Sequence, residues 1–568
     1  MNKIIAIYQK FPLRLKISSA YFVLLTLIAT SLEVISITMI MPIISLMLNP
    51  DTVSDVFLYK YFENFFTIVN LTISVKSLII LFSVIFIFKI IYNLYFSLFQ
   101  EDYGLKVYEF ISNSMLKIYM LKDWNFFVNT NSAYLIRNII AESSGLRSTV
   151  FLPLLKIFSE TIILVGMISM LFLVNYKTTS VIVFFFVIFG VFYKLITRNF
   201  FVKLGREKTL QSGKLFKIIP KIFSLIREIK IQKKEETFFK YFTDANRKYA
   251  ISNKFFSFTH IIPRSIIEIA LIIFILTSVF FSDITDSGYS EFLPLVGLYL
   301  GAGYKILPSF VKIINSLRSF DFSDQPLEIF KKEFISENIN KNFVSIEQSS
   351  GYMPFEKYIE FKDLNFKYPN REDDIFNNFN YKISKFEILG IKGKSGKGKS
   401  TLANLLSGLI KPDKGSILVD GLDIHSNISK WQKNIGLVQQ DSILVDDSIK
   451  NNITLSFFNE KINNERLKNS VKNSNLFEFT DNLPNGLDTI VGEKGIQISG
   501  GQRQRICIAR MLYFDPGLII LDEATSALDE KNEKDILDFI KNLKGKKTII
   551  IISHRAETLS YCEKILEI

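Results

Sequence analysis

The chain has 568 residues, of which 48% are hydrophobic and 54 are phenylalanine, and its formal net charge is +13. This length is too great for one hydrophobic core, and the apolar residues are concentrated before position 315, so we expect a membrane domain followed by a soluble domain. Residues 356–568 contain 31 Lys and Arg against 30 Asp and Glu, so the positive excess belongs to the first domain, where cytoplasmic loops of membrane proteins are enriched in Lys and Arg. Nucleic-acid binding is therefore disfavoured.

Six apolar segments are long enough to cross a membrane as helices, which needs about 20 residues each. Lysines and arginines before the first segment predict a cytoplasmic N-terminus, and the long lysine-rich regions 98–150 and 198–259 then lie on the same side. Residues 51–66 have helical spacing of aromatic residues and are either an amphipathic surface helix or an ordered loop. The predicted spans are 17–48, 72–97, 151–175, 177–197, 260–282 and 289–313.

Basic residues interrupt three of these spans: Lys89 in the second, Arg264 in the fifth and Lys305 in the sixth, with Lys312 nearer the cytoplasm. A Lys or Arg inside the bilayer costs about 2.5 to 3.5 kcal/mol on insertion scales, so its usual explanation is a function facing a cavity. A set of cations on the inner side suits an anionic headgroup such as a phosphate. Snorkelling to the interface, or pairing of Arg264 with Glu268, is the alternative explanation.

The chain then changes character. Residues 321–355 lose the apolar pattern and are predicted to be a linker between a membrane domain, 1–320, and a soluble domain, 356–568. The two cysteines, Cys507 and Cys562, have no paired spacing and the three histidines are scattered, so the composition argues against a disulfide framework and a thiolate or histidine metal cluster.

A glycine-rich loop follows a short apolar strand in "ILGIKGKSGKGKST" and precedes a helical segment. Its glycines let backbone N–H groups turn inward to hold phosphates at the helix N-terminus, with Lys399 reaching the β- and γ-phosphates and Ser400 ligating Mg²⁺. The candidate nucleotide-binding residues here are Gly393, Lys394, Ser395, Gly396, Lys397, Gly398, Lys399, Ser400 and Thr401.

Two further motifs complete the candidate nucleotide site. The strand "GLIILDEATSALD" ends in Asp522, suited to support Mg²⁺, and Glu523, suited to polarise an attacking water. Before it, "ISGGQRQR" places small polar residues ahead of a helix, which is a second anion-binding arrangement without the lysine of a phosphate loop. Its candidate residues are Ser499, Gly500, Gly501 and Gln502.

These motifs resemble those of ATP-binding cassette (ABC) proteins, with Ile498 where the family usually has Leu. By this resemblance Tyr368 stacks on adenine, Gln440 touches Mg²⁺ and His554 contacts the γ-phosphate. Asp529 and Glu493 resemble residues at the dimer interface and in the segment that senses the membrane domain. Ordered as they are over about 200 residues, the motifs favour Glu523, His554 and Gln440 as the catalytic set.

The resemblance implies an α-helical six-span domain of the type IV ABC exporter kind, joined to an α/β P-loop NTPase domain. It also implies a homodimer with twelve spans, with ATP and Mg²⁺ as cofactors, in a bacterial inner membrane with the nucleotide-binding domains in the cytoplasm. Trp124, in a predicted coupling helix, then docks on the cassette or packs within its own helical extension. A soluble ATPase of the same class would not need six spans, and a passive channel would not need a hydrolytic set.

A narrower resemblance concerns the substrate. "SLEVISITMIMPI", "PRSIIE" and "YKILPSFVKII" look similar to segments of the bacterial lipid-linked oligosaccharide flippases of the PglK type, with Lys at two positions where those proteins have Arg. This implies ATP-driven flipping of an anionic lipid-linked substrate from the inner to the outer leaflet. Export of a peptide, a drug or another lipid is the alternative.

Overall fold

The computed structural model describes residues 2–48, 74–174, 176–258, 261, 264–265, 268–269, 289–321, 323–335, 351–368, 373–394, 396–458, 460–492, 495, 498–525 and 530–568. The chain forms two compact units. The first contains Met1–Lys122 and Thr130–Ile339, and the second contains Asp123–Asn129 and Asn340–Ile568. The short segment with Trp124 therefore groups with the second unit rather than with its sequence neighbours.

The first unit is helical throughout the part that the structure describes. Its two longest helices, Val75–Met120 and Tyr176–Ser224, run well beyond the length needed to cross a membrane. The remaining helices of this unit are Asn2–Gln9, Leu13–Thr38, Ile40–Leu48, Ser132–Arg137, Ser143–Leu146, Leu152–Val174, Ile226–Ile231, Glu235–Phe258, Tyr289–Asp321 and Asp324–Phe330.

Three helical runs among the described residues are long and apolar enough to cross a membrane: Leu13–Met47, Val75–Met120 and Ser132–Val174. They contain most or all of the first three predicted spans. The predicted spans 177–197 and 289–313 lie in the helices Tyr176–Ser224 and Tyr289–Asp321. Most of 260–282, and the whole of the predicted surface segment 51–66, fall outside the described residues, so the count of six spans stays a prediction.

The start of the third span is not a regular α-helix. Two π-helical turns, Asn138–Glu142 and Arg147–Phe151, interrupt the run that leads into Leu152–Val174. Each π-turn accommodates an extra residue, so the apolar face of the helix rotates at each of them. A period of 3.6 residues cannot be continued through such a segment.

The predicted linker 321–355 is wrong in its first third. Residues Asp324–Phe330 form a helix that continues as a π-turn through Ile335, and the side chains of Phe330 and Phe334 are fully buried. Phe334 contacts Phe110 edge to face, with ring centroids 6.3 Å apart, so this segment packs within the first unit. The sequence pattern missed it because two aromatic residues four positions apart, surrounded by charges, bury one narrow stripe.

The second unit contains two sheets. An antiparallel sheet has the order β2-β1-β4-β5, and a parallel sheet has the order β6-β7-β8-β3-β9. Strands β7 and β8 are buried at every residue, as expected of the centre of a parallel sheet covered on both faces. The strands are β1 Tyr358–Phe366, β2 Phe376–Ser384, β3 Ile388–Lys392, β4 Lys414–Val419, β5 Leu422–Asp423, β6 Ile435–Val438, β7 Leu518–Asp522, β8 Thr548–Ile552 and β9 Lys564–Glu567.

Helices pack on this framework, and the largest buried side chain, Trp431, donates its indole N–H to the carbonyl of Leu406 at 2.7 Å. Asp420, in the turn after β4, accepts hydrogen bonds from the backbone N–H groups of Lys357 and Tyr358, each at 2.8 Å. The helices of the unit are Trp124–Asn129, Lys399–Leu406, Ile428–Gln432, Ile449–Thr454, Asn464–Asn473, Phe477–Asp481, Gly500–Tyr513, Glu530–Asn542 and Ala556–Leu559.

Both cysteines are free thiols and lie in the second unit. Cys507 is buried in the helix Gly500–Tyr513, and burial raises its pKa. Cys562 packs beside Gly390, where a Cβ atom would lie 3.0 Å from the sulfur, and burial raises its pKa to about 11.

Candidate functional site

The carboxyl ends of four neighbouring parallel strands carry the predicted nucleotide-site residues. Strand β3 leads into the glycine-rich loop, β6 leads to Gln440, β7 ends at Asp522 with Glu523 next, and β8 leads to His554. In open parallel sheets, ligands bind outside the carboxyl ends of the strands. Residues that lie as far apart as 393 and 554 in the sequence therefore meet at one edge.

The glycine-rich loop has the backbone that a phosphate cradle requires. Gly396 and Gly398 adopt positive φ angles of 82° and 102°, which residues with a side chain rarely adopt. A Cβ atom on Gly398 would lie 2.5 Å from Ile375, and one on Gly393 would clash with the carbonyl oxygen of Ile568. Gly398 caps the helix Lys399–Leu406, so the positive end of that helix faces the loop. Ser395 lies outside the described residues.

Lys399 connects the loop to the rest of the site. Its ammonium group donates to the carbonyl of Gly393 at 2.8 Å and to that of Lys394 at 3.2 Å, and it lies 3.1 Å from Nε2 of His554. Lys399 is 7% exposed, and the backbone carbonyl groups of the loop hold its ammonium group across the opening of the loop. This is the position from which a cation meets phosphates bound in the cradle.

Glu523 is the centre of a short chain of polar groups. Its Oε2 accepts a hydrogen bond from Nε2 of Gln440 at 2.9 Å, and its Oε1 lies 3.2 Å from Nε2 of His554. That ring nitrogen either donates to Glu523 or accepts from Lys399, so the tautomer of His554 decides which neighbour it contacts. The backbone of Glu523 has φ of +49°, a conformation that costs free energy for a residue other than glycine and clusters at functional sites.

Asp522 lies deeper, with 8% of its surface exposed. Burial raises the pKa of Asp522, the Ser400 hydroxyl opposes that shift by hydrogen bonding, and the neighbouring charge of Glu523 adds to it. Ser400, Asp522 and the amide oxygen of Gln440 supply the hard oxygen donors that Mg²⁺ prefers. Within the described residues, no group of three His, Cys, Asp or Glu side chains forms a metal cage.

Tyr368 lies next to the glycine-rich loop. Its hydroxyl is 3.5 Å from the hydroxyl of Thr401, and its ring packs edge to face on Phe366 with centroids 5.1 Å apart. The phenol is thus held beside the helix that follows the phosphate loop. This position is compatible with stacking on a base, which stays a prediction.

The second anion-binding motif is formed but makes its polar contacts within itself. Ser499 accepts from the N–H of Gln502 at 3.2 Å, and the side chain of Gln502 accepts from the N–H of Ser499 at 2.8 Å. This capping box starts the helix Gly500–Tyr513. Asp529, predicted at the dimer interface, and Glu493, predicted in the segment that senses the membrane domain, lie outside the described residues.

In the first unit, the predicted substrate lysines have acidic partners that we did not predict. Nζ of Lys305 lies 2.7 Å from Oε1 of Glu33, and Nζ of Lys89 lies 3.3 Å from Oε2 of the same carboxylate. Asn93 donates to Glu33 at 3.0 Å, and Lys89 donates to Ser36 at 3.1 Å. Glu33 is 3% exposed, so among the residues that the structure describes two lysines share this one buried carboxylate.

The other two predicted substrate residues are also paired. Lys312 donates to Glu160 at 2.6 Å, and Arg264 donates to Glu268 at 2.7 Å, the pairing that the sequence left open. Glu33 in "TSLEVIS" and Glu160 in "FSETII" interrupt apolar runs just as the lysines do. The criterion that selected the lysines would have found both carboxylates had it been applied to acids as well.

Comparison with known proteins places these features in a family context. Residues 376–526 match the family model described as ABC transporter. Over 98% of its length the chain resembles a structure described as a bacterial Atm1-family ABC exporter with ATP bound, with a TM-score of 0.78 at 21% identity and 93% of that chain covered. This likeness concerns the fold.

Three curated relatives illustrate the range. The chain is 28% identical over 86% of its length to ABC transporter B family member 1 of Dictyostelium discoideum, 38% identical over 37% to the ATP-dependent lipid A-core flippase of Pasteurella multocida, and 42% identical over 37% to the alpha-hemolysin translocation ATP-binding protein HlyB of Escherichia coli O157:H7. The chain covers 53%, 36% and 29% of these relatives, which is less than two thirds of the length of each.

Proposed function

We propose that this chain, an ABC transporter with a C-terminal ABC domain and an exporter-type fold, hydrolyses ATP to move a substrate across a membrane. One observation carries the proposal. One chain of polar contacts beside the phosphate loop joins four side chains from four different strand ends: Lys399, His554, Glu523 and Gln440. Asp522 precedes Glu523 and is hydrogen-bonded to Ser400. A passive channel has no use for this arrangement.

Each side chain has a role in the proposed hydrolysis. The backbone N–H groups of the loop and Lys399 bind the β- and γ-phosphates, while Tyr368 stacks on adenine. Glu523 accepts a proton from the attacking water, and His554 holds the γ-phosphate in line. Ser400 and Gln440, with Asp522 behind them, would hold Mg²⁺, which would neutralise charge on the phosphates.

The working unit in this proposal is a homodimer. The support is the resemblance to ABC proteins, in which the motif that corresponds to Ser499 completes the ATP site of the partner chain. Each of the two ATP sites then consists of a phosphate loop from one chain and the Ser499 motif from the other. We place the dimer in a bacterial inner membrane, with residues 1–320 as membrane domain and 356–568 in the cytoplasm.

The proposed substrate is an anionic lipid-linked molecule, of which a lipid-linked oligosaccharide is our first candidate. The support is the Glu33 cluster, where Lys89 and Lys305 together carry one positive charge more than Glu33 neutralises. A cation retained among membrane helices at a cost of a few kcal/mol indicates a ligand or a pathway. The lipid A-core flippases among the relatives act, by name, on a lipid, which fits a lipid-linked substrate.

Export of a peptide is the second candidate. It is supported by the identity of 42% to the alpha-hemolysin translocation protein. The two candidates differ in what the excess charge does, because a peptide exporter has no need of a net cation at Glu33.

A flipping assay distinguishes them. The full chain is reconstituted in liposomes with a fluorescent lipid-linked oligosaccharide, and ATP-driven movement of the label between leaflets is followed. We expect flipping by the natural chain and its loss in Lys305→Gln, which leaves the Glu33 and Lys89 pair but removes the excess charge. Lys106→Gln, which breaks an exposed ion pair with Asp102, is the matched control. Normal flipping by Lys305→Gln, or none by the natural chain, would contradict the lipid proposal.

A further inference from the structure

Glu533 is a buried carboxylate to which the proposed chemistry assigns no role. It lies on the helix Glu530–Asn542 and is 6% exposed. Its Oε1 accepts hydrogen bonds from Thr525 at 2.9 Å and from Thr558 at 3.0 Å, and its Oε2 accepts from Arg555. A buried charge costs free energy unless it is paired and hydrogen-bonded, and here both oxygens are satisfied.

The three donors flank the two groups proposed to act on the γ-phosphate. Thr525 follows Glu523 by two residues, and Arg555 directly follows His554. Glu533 thus ties the segment after Glu523 to the segment after His554, at the place where those two side chains come within 3.2 Å. The backbone of Glu523 needs such support, since a residue at φ of +49° keeps that conformation only when its surroundings impose it.

The same helix also reaches the second anion-binding motif. Arg505, on the helix Gly500–Tyr513, donates to the side chain of Asn532 at 3.1 Å and to the backbone carbonyl of Asn475 at 2.9 Å. Asn532 directly precedes Glu533. A displacement of the helix Glu530–Asn542 would therefore be felt both at the catalytic pair and at the Ser499 motif.

We infer that Glu533 is a positioning residue for ATP hydrolysis, which sets the separation of Glu523 and His554 through Thr525 and Arg555. The inference rests on the proposed function. Glu533 does not touch nucleotide in this role, so its loss affects the rate of the chemical step and leaves ATP binding intact. Misplacement of catalytic groups by about 1 Å can cost about 100-fold in rate.

The test compares steady-state ATPase kinetics of the full chain in lipid nanodiscs for the natural protein, Glu533→Gln, Arg555→Gln and the double variant. Gln at 533 keeps an oxygen for the two threonines and loses the ionic contact with Arg555. We expect kcat to fall about 10- to 100-fold in each single variant, with KM for ATP within about twofold of normal. Both single variants break the same contact, that between Glu533 and Arg555. The double variant should therefore have a kcat no lower than that of the slower single variant.

Glu557→Gln is the control, because Glu557 is exposed in the helix Ala556–Leu559, close to Arg555, and undergoes the same chemical change. If Glu533→Gln does not fold, Arg555→Gln alone decides, since that side chain is 46% exposed and its loss leaves the core intact. A purely structural role would lower the melting temperature and leave kcat unchanged in folded protein, and that result overturns the inference. Absence of ATPase activity in the natural chain overturns the proposed function instead.

Discussion

At the scale of single residues, the site is defined by the surroundings of Glu523. The sequence placed an acid after a buried strand and so predicted a group able to polarise water. It did not show that Gln440 and His554 would both contact that acid, because these two residues lie 83 and 31 positions from Glu523 along the chain. No sequence pattern predicts the positive φ of Glu523 either, since that conformation depends on the segments packed around it.

We expect Glu523→Gln to reduce steady-state ATP hydrolysis by about 100- to 10,000-fold, the range for loss of a general base. The amide cannot accept the proton of the attacking water, while the phosphate loop and Lys399 still bind nucleotide. Hydrolysis is measured by phosphate release and binding by a fluorescent ATP analogue.

Glu478→Gln, an exposed glutamate in the helix Phe477–Asp481, is the matched control for that substitution. Retention of full hydrolysis by Glu523→Gln would remove Glu523 from the catalytic set. Loss of nucleotide binding together with hydrolysis would show that the carboxylate also shapes the binding site.

The turn at Asp420 gives a pH-dependent contribution to stability. Burial raises the pKa of Asp420, but hydrogen bonds from the N–H groups of Glu356, Tyr358 and Lys357 outweigh it and hold the pKa below its ordinary value of 3.8. Because the folded state has the lower pKa, the carboxylate stabilises the fold above the unfolded-state pKa. That contribution is lost as the pH falls through the folded-state pKa.

We therefore expect Asp420→Asn to lower the free energy of unfolding at neutral pH by about 1 to 3 kcal/mol, as charged groups contribute to hydrogen bonds. The difference from the natural chain should shrink as the pH falls below 3.8. Denaturation followed by tryptophan fluorescence at several pH values measures it. A difference that is constant with pH would mean that the charge of Asp420 contributes nothing.

At the scale of elements, the Glu33 cluster joins three helices. Glu33 lies on Leu13–Thr38, Lys89 on Val75–Met120 and Lys305 on Tyr289–Asp321. The sequence identified both lysines as exceptional but not their shared partner, because pairing between helices depends on their relative rotation. Pairing between residues four positions apart, as for Arg264 and Glu268, can be read from spacing, and the sequence offered it as one of two explanations.

Glu33→Leu should strongly destabilise the helical unit. Removal of one partner of a buried ion pair costs about 3 to 5 kcal/mol because a charge is left uncompensated, and here two lysines lose their carboxylate. The expected result is a lower melting temperature of the detergent-solubilised chain, measured by size-exclusion chromatography after heating.

Replacing all three charges at once, with Leu at 33 and Met at 89 and 305, should restore much of that stability, since buried ion pairs can be exchanged for apolar groups of similar size. This triple variant should not flip an anionic lipid, because it lacks the positive charges of Lys89 and Lys305. Recovery of both stability and flipping would show that the cluster is structural only.

The strands and loops of the second unit were the most predictable elements, since β3 and β7 are short apolar runs followed by residues with a chemical function. The helical unit was less so. The π-turns near Asn138 and Arg147, and the helix Asp324–Phe330, follow from packing among helices that are distant in sequence. Apolar length locates a span but says little about where its helix begins or bends.

At the scale of the whole molecule, the proposed homodimer makes a prediction that no single site makes. Lys399→Ala should disable the phosphate loop of its chain, and Ser499→Arg should disable the motif offered to the partner. Either variant alone forms dimers without an intact composite site. Co-expressed, the two variants form some dimers in which both lesions fall in one site and the other site is intact.

We expect ATPase activity to reappear in the mixed preparation, measured on dimers purified through two different affinity tags. Lys399→Ala mixed with itself is the control and should stay inactive. No recovery would contradict the prediction, because it would mean either that both sites are needed for turnover or that each chain completes its own site. Activity of Ser499→Arg alone would show instead that the Ser499 motif is not part of the ATP site.

The two native thiols, one buried at Cys507 and one half-buried at Cys562, have a practical consequence for observing transport. Thiolate is the species that reacts with maleimides and spin labels, and a thiol with a pKa of about 11 is almost wholly protonated at neutral pH. Cys507 is buried in the helix Gly500–Tyr513, so reagents reach it poorly, and the rest of the sequence contains no cysteine. The two native cysteines should therefore react little with thiol-specific labels, so the natural chain is suitable for site-directed labelling as it is. Single cysteines introduced into the membrane domain should report distances between its helices during turnover without prior removal of either native thiol.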